Sequence, residues 1–208
     1  QMERFFDIEP YRTYRDYFNV STAIAVSQES GIGTVNTIRR TKFETTFAGG
    51  VGLRGDYSAI FNYAMKVSPV DESNLNQSLI IVTPNTIDYG GITEMWEDGS
   101  TIAFCPLSED TYPYDARGII QHEAGGHGFG KLGDEYIYHN GFIEFCCPLD
   151  FATLNHGKSL GWYENLSLTG KMHEVPWSHL IFDDRYSDVV DIYEGGFKHA
   201  RGVFRSEQ

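Results

Sequence analysis

Apolar and polar residues alternate along this chain in short blocks that predict both strands and helices. Residues 78–83 (Ser-Leu-Ile-Ile-Val-Thr) are apolar at their centre, which is typical of a strand buried on both faces of a mixed sheet. Residues 92–105 divide around Asp98-Gly99 and predict a hairpin, with Thr101 to Phe104 as its second strand. These blocks together predict an α/β fold with a mixed, twisted sheet.

Helical spacing is clear at residues 56–65, where Asp56 opens the segment and Ile60, Phe61 and Met65 share one face. Residues 153–160 predict another helix. The other predicted elements are two short helices within 4–17 that are broken at Pro10, a strand at 19–27 and a strand within 34–47.

Two histidines with acids beside and after them predict the chemistry of the chain. His122 is followed directly by Glu123, and His127, Asp134 and Glu135 come soon after. Imidazole nitrogens, a carboxylate base and a further oxygen ligand are what a catalytic zinc site needs. In the helix of a zinc protease the two histidines stand four residues apart, about 40° out of line, so both reach one ion.

The spacing of the two histidines departs from that pattern by one residue. Positions five apart on a regular α-helix lie about 140° apart, on different faces. Either the pattern is accidental and binds no metal, or a π-bulge with an i→i+5 hydrogen bond returns both rings to one face. Gly125-Gly126 lies where the extra residue must be absorbed, and glycine costs about 1 kcal/mol inside a helix. We therefore favour the bulge.

The residues on either side of the motif support a helix with a defined start and end. Asp115 is a candidate N-cap, and Ile119 and Ile120 give the helix an apolar face. Three glycines at positions 128, 130 and 133 predict that the helix ends there and that the chain turns back sharply. The turn is expected to bring the acidic pair Asp134-Glu135 within reach of the same ion.

The segment from His122 to Tyr136 resembles the active-site signature of the bacterial IgA-peptidase-like family of zinc metallopeptidases, a branch of the zincins close to the metzincins. The resemblance extends to an N-terminal block in two parts, Ile8 to Val20 and Val26 to Gly31. It also extends to a C-terminal block, Tyr193 to Arg205. These blocks together span most of the chain, so the assignment to the family does not depend on one motif.

The resemblance implies roles for the motif residues and one catalytic Zn²⁺ ion. His122 and His127 would bind the zinc, Glu123 would be the general base, and Asp134 would be the third ligand. Glu135 remains the rival for the third position, because the turn brings both acids near the ion and the second acid would then orient a histidine. His156 and His179 are further alternatives, but no spacing points to them.

The same resemblance implies a metzincin-like zincin fold with a metal-binding helix and an edge strand at the active site. The hairpin at residues 92–105 is the candidate ledge on which an extended peptide substrate would pair, although an ordinary edge strand is an equal alternative. Metzincin relatives carry a methionine turn beneath the metal, whereas this chain has no methionine after Met172. We expect one catalytic domain over residues 1–208 and leave open whether it is trimmed at both ends.

The overall composition excludes some classes of partner. A net charge of −13 opposes binding to nucleic acid or to an anionic membrane surface, since both require basic patches. No apolar run approaches the roughly 18 residues of a membrane-spanning helix. The expected partner is a protein or peptide substrate.

The cysteine content is too low for a disulfide framework. Cys105, Cys146 and Cys147 are either buried thiols or, in a secreted protein, allow a bridge from Cys105 to one of the other two.

We expect a bacterial protein that is secreted, periplasmic or held at the cell surface, with any signal peptide upstream of Gln1.

The sequence therefore predicts a zinc metallopeptidase in which metal-activated water, with Glu123 as base, hydrolyses peptide bonds. Two alternatives remain. The irregular histidine spacing would fit a zincin-fold binding or surface module that has lost catalysis. A metal amidase acting on a non-protein amide, such as peptidoglycan, would use the same site.

Overall fold

A computed structural model describes residues 2–67, 70–143 and 148–207 of the chain. These residues form a mixed α/β protein with several small sheets and few helices, as the sequence predicted. The chain divides into two compact units, residues 1–130 and 131–208. In the described ranges, none of the helices has the length and apolar character needed to cross a bilayer. Whether residues 1–208 constitute a single catalytic domain stays a prediction.

The helices of the described ranges are short. They are α1 (Met2–Phe5), α2 (Tyr57–Ala64), α3 (Ala116–Ile119), α4 (Pro148–Ser159) and α5 (Ser178–Ile181), with 3-10 turns at Arg15–Tyr17 and Leu75–Gln77. A ten-residue π-helix, Ile120–Phe129, continues directly from α3.

Nine strands are assigned in the described ranges. They are β1 (Thr46–Phe47), β2 (Leu53–Arg54), β3 (Leu79–Val82), β4 (Ile92–Met95), β5 (Thr101–Phe104), β6 (Ile137–Phe142), β7 (Leu166–Ser167), β8 (Tyr193–Gly196) and β9 (Lys198–Arg205). In the first unit, β1 pairs with β2, and a separate three-stranded sheet has the order β3-β5-β4. In the second unit, the order is β6-β9-β7, and β8 also pairs with β9.

The three-stranded sheet of the first unit matches the strands expected from the apolar blocks. β3 runs parallel to β5, and β4 runs antiparallel to it, so the sheet is mixed. The predicted hairpin is confirmed: Gly99 takes a positive φ of 97°, and the Asp98 carboxylate accepts hydrogen bonds from the backbone and hydroxyl of Ser100. One detail was wrong, because Ile81 of β3 is 36% exposed and the strand is not buried on both faces.

The central strand β5 carries large residues on one face and small residues on the other. Ile102 and Phe104 pack in a core with Leu53, Ile60 and Val82. On the opposite face, Ala103 and Cys105 pack against the π-helix. That second core contains Phe5, Tyr11, Ala103, Cys105, Ile119, Ile120 and Ala124. Small side chains on the strand let the helix approach the sheet closely, which fixes the height of the helix above it.

The second unit has its own buried residues around the sheet of β9. Leu154 of α4, Leu166 of β7 and Val203 of β9 are fully buried. Gly157 of α4 lies against the ring of Tyr163, where a Cβ atom would come within 2.2 Å of a ring carbon, so a larger residue does not fit there. A further cluster contains Val175, Trp177 and Val190.

Several element predictions are confirmed and one is wrong. Helix α2 begins after Asp56, whose carboxylate accepts from the Ala59 amide at 2.9 Å, and α4 contains the helix predicted at 153–160. The predicted strand within 34–47 is reduced to the two residues of β1. Residues 19–27 form no strand, because their alternating side chains remain largely exposed and no neighbouring strand pairs with them in the described ranges. Cys146 and Cys147 lie outside the described residues.

Candidate metal centre

The motif helix starts with the α-helical turn α3 and continues as a π-helix over residues 120–129. Asp115 caps its α-helical start by accepting from the Gly118 amide at 2.8 Å, and Gly130 ends it by donating to the Gly125 carbonyl at 2.9 Å, an i→i+5 bond. The sequence predicted a single bulge at the paired glycines. The prediction of π geometry is confirmed, and the wider turn extends over the ten residues 120–129.

The π-helix places His122 and His127 beside each other. Their Nε2 atoms are 3.1 Å apart, and their ring centroids lie 4.6 Å apart with planes at 82°. His122 is exposed and His127 is half-buried, so the pair faces solvent from the helix surface. In a helix with i→i+5 bonds, residues five apart lie on one face, which explains how an irregular spacing gives two converging rings.

The distance between the two nitrogens fits a shared metal ion. Two nitrogens bound tetrahedrally to one zinc at about 2.0–2.1 Å are separated by about 3.3–3.4 Å. The observed 3.1 Å is close to that value. Two imidazole lone pairs repel at this distance unless a proton or a cation lies between them, so the pair is suited either to an N–H···N hydrogen bond or to metal.

Tyr11 supports the helix from the N-terminal segment. Its hydroxyl donates to the Gly125 carbonyl at 2.7 Å, and burial raises the pKa of this phenol. The Tyr11 ring also lies edge-to-face against the ring of Phe129 at the end of the helix. Phe18 packs on the Phe129 ring as well. Sequence reasoning used Tyr11 only within the family resemblance and missed this contact with Gly125, 114 residues away.

Glu123 lies on the buried side of the π-helix, under the edge strand β4. The residue is 9% exposed. The Thr93 hydroxyl donates to both the carbonyl and the carboxylate of Glu123, at 2.7 and 2.9 Å. Sequence reasoning missed Thr93, although the alternation of β4 places it on the opposite face from Ile92 and therefore toward the helix.

Asp134 and Glu135, the two candidates for the third ligand, belong to the second unit and have different partners there. The Tyr136 hydroxyl donates to Asp134 Oδ2 at 2.9 Å, and the Phe197 amide donates to the Asp134 carbonyl at 2.7 Å. Burial, followed by the charge of Asp134, raises the pKa of Tyr136.

Asn165 makes hydrogen bonds that hold the turn before Asp134 and Glu135. Its amide exchanges two hydrogen bonds with the backbone of Gly133, at 2.8 and 2.9 Å, and donates to Glu135 Oε1 at 2.8 Å. Burial raises the pKa of Glu135, while the bond from Asn165 partly offsets that effect. Sequence reasoning missed this role of Asn165.

The remaining five histidines belong to the second unit. His156, His173 and His179 are exposed. His199 is fully buried, with Nε2 3.1 Å from Asp150 Oδ2, and its ring lies 5.1 Å from that of His139.

Comparison with known proteins identifies a family that the chain matches. The sequence model of the family described as IgA Peptidase M64 matches residues 1–148, which include the whole π-helix, the histidine pair and the acidic pair. None of the curated proteins matches the chain. The matched family comprises peptidases, which are generally metal-dependent.

Proposed function

The chain belongs to the IgA peptidase M64 family, and from that premise we propose that it is a zinc-dependent metallopeptidase with Glu123 as its general base. The observation that carries this proposal is the pair of imidazole nitrogens 3.1 Å apart on a π-helix, directly beside Glu123. A hydrolytic metal site requires neutral nitrogen ligands and an adjacent base, and the helix carries both.

We propose that His122, His127 and Asp134 hold one Zn²⁺ ion. The contacts within the second unit favour Asp134 over Glu135. The Glu135 carboxylate already accepts the Asn165 amide, so ligation through that oxygen would cost a buried hydrogen bond. The Asp134 carboxylate receives the Tyr136 hydroxyl on Oδ2, an arrangement like that of ligating carboxylates held by an outer hydrogen bond.

The proposed reaction is hydrolysis of a peptide bond in a protein or peptide substrate. Zinc supplies Lewis acidity, which brings the pKa of water to about 7 and polarises a carbonyl. Glu123 takes the proton of the attacking water and later gives it to the leaving amine. Its position one residue after His122 makes it a poor ligand for the same ion and leaves its carboxylate available as base.

We also propose that the fold is that of a metzincin-like zincin. A metzincin-like zincin uses an edge strand to bind an extended peptide, and β4 is an edge of the three-stranded sheet in the described ranges. Helix α3 and the π-helix together fill the role of the metal-binding helix. We also propose that residues 1–208 form one catalytic domain and that the protein is bacterial and is secreted, periplasmic or held at the cell surface.

The test compares the parent with Glu123→Gln and His127→Ala, with Glu109→Gln as a control for loss of an exposed carboxylate of the same unit. Each protein is assayed for zinc content and for cleavage of casein, immunoglobulin and peptidoglycan fragments. We expect one zinc per chain in the parent and in both glutamine variants, and less in His127→Ala. Cleavage should fall at least 100-fold in Glu123→Gln and stay unchanged in Glu109→Gln.

Three results would overturn this proposal. Absence of zinc in the parent would indicate a binding module without catalysis. Undiminished cleavage by Glu123→Gln would remove the assigned base. Cleavage of peptidoglycan fragments alone would make the protein a metal amidase.

A further inference from the structure

We infer that Thr93 of β4 is a positioning residue that holds the Glu123 carboxylate in the geometry its role as base requires. The inference rests on the proposed function, because positioning matters only if Glu123 acts in the reaction. It adds a residue outside the histidine motif to the machinery of the site.

A single hydroxyl contacts both the main chain and the side chain of Glu123. Thr93 Oγ1 lies 2.7 Å from the Glu123 carbonyl oxygen and 2.9 Å from Glu123 Oε2. A hydroxyl carries one hydrogen, so these two acceptors share it in a three-centre bond. Because both acceptors belong to the same residue, the contact restrains the side-chain torsions of Glu123 relative to its own backbone.

The other oxygen of the carboxylate is restrained by the backbone just before β4. A Cβ atom at Gly91 would lie 2.8 Å from Glu123 Oε1 and 2.9 Å from Glu123 Cγ, so a larger residue there would displace the Glu123 side chain from this position. The carboxylate is therefore enclosed between the Thr93 hydroxyl and the Gly91 backbone. At 9% exposure, the residue has little freedom to adopt another rotamer.

The strand register fixes where the Thr93 hydroxyl points. Thr93 pairs with Ala103 of β5 in the antiparallel ladder, and Ala103 belongs to the core that includes Ala124 of the π-helix. The small side chain of Ala103 leaves space for the hydroxyl to reach the helix. Groups on a paired strand are held more accurately than groups on a loop, which suits a residue that must orient a base.

Thr101 of β5 offers a matched control on the same sheet. Its hydroxyl is directed at the Gly128 carbonyl of the same π-helix, at 3.5 Å, and it is buried as well. If the hydroxyls of Thr93 and Thr101 only hold the sheet against the helix, removing either one should have a similar effect on kcat. If Thr93 positions the base, its removal should act on turnover, and removal of Thr101 should not.

The experiment measures steady-state kinetics and zinc content for Thr93→Val, Thr93→Ser and Thr101→Val, with the protein substrate that the parent cleaves. We expect Thr93→Val to lower kcat by about 10- to 100-fold, with KM within about twofold and zinc still at one per chain, since loss of base geometry acts in the transition state. Thr93→Ser keeps the hydroxyl and should recover most of kcat. Thr101→Val should resemble the parent.

A second measurement uses the zinc-free protein and needs no activity. The thermal unfolding midpoint is compared for Thr93→Val in the parent background and in a Glu123→Ala background. Coupling between the two side chains predicts a smaller downward shift in the second background, because one of the two hydrogen bonds is then already absent.

The possible failures are distinguishable. If Glu123→Gln is inactive but Thr93→Val keeps the parent's kcat, or if the two midpoint shifts are equal, the role of Thr93 is refuted and the proposed function stands. If Thr101→Val loses as much kcat as Thr93→Val, the hydroxyls act structurally and the inference is overturned. If Glu123→Gln is fully active, the proposed function fails first, and the role of Thr93 fails with it.

Discussion

Two adjacent glycines on the π-helix have different surroundings. A Cβ atom at Gly125 would lie 3.0 Å from the Tyr11 ring, whereas at Gly126 the nearest atom is the Gln121 carbonyl oxygen at 3.9 Å. The sequence suggested that both glycines absorb the extra residue of a bulge. Neither has the positive φ that demands glycine. Gly125 is therefore explained by the close approach of Tyr11, and nothing in the structure explains Gly126.

This difference predicts unequal effects of alanine at the two positions. Gly125→Ala should destabilise the protein by about 1–3 kcal/mol, because the Tyr11 ring must move and the bond to the Gly125 carbonyl is strained. Gly126→Ala should be neutral or stabilising by up to about 1 kcal/mol, since alanine favours helical backbone. Equilibrium denaturation of the two variants measures both values. Equal destabilisation would show that the π geometry itself needs both glycines.

At the scale of elements, the histidine motif, the hairpin and helix α2 were predictable because local rules determine each of them. Asp56 and Asp115 cap their helices as expected, and the i→i+5 argument depends only on spacing. The contacts from Tyr11 and Thr93 to the π-helix were not predictable, since they join residues 114 and 30 positions apart. The strand wrongly predicted at 19–27 illustrates the same limit, because a β pattern forms a strand only where a partner strand is available.

Lys158 of helix α4 makes hydrogen bonds that reach β7, and its substitution is expected to lower the stability of the fold. Lys158 Nζ donates to the carbonyls of Tyr163 and Leu166, at 3.1 and 2.6 Å, and the side chain is half-buried. Lys158→Met keeps most of the apolar stem but leaves both carbonyls without this donor, so the unfolding free energy should fall by about 1–3 kcal/mol. Chemical denaturation gives the value.

Lys171 provides the control for that substitution. It makes an ion pair with Glu174 at 2.8 Å, and its side chain is 74% exposed. Lys171→Met should change the unfolding free energy by less than about 1 kcal/mol, because exposed ion pairs contribute little. A loss as large as that of Lys158→Met would contradict the importance assigned to the buried carbonyls.

For the whole molecule, the proposed zinc ion links folding to metal concentration. A ligand that binds only the folded state stabilises it by about 2.7 kcal/mol at a concentration 100 times its dissociation constant. Thermal unfolding of chelator-treated protein should therefore shift upward when zinc is added back. His127→Ala should lose most of this shift, and His156→Ala should keep it, because His156 is an exposed residue of α4 with no proposed role. Loss of the shift in His156→Ala would mean that the ligand set is assigned wrongly.

The hydrogen bond from Tyr11 to Gly125 makes the first dozen residues part of the support of the motif helix. Proteolytic clipping or an engineered deletion just after Tyr11 would remove that phenol together with Phe5, whose ring packs on it. Shortened versions of this protein made for crystallisation or screening should therefore begin before these aromatics, even though they lie more than a hundred residues upstream of the histidines.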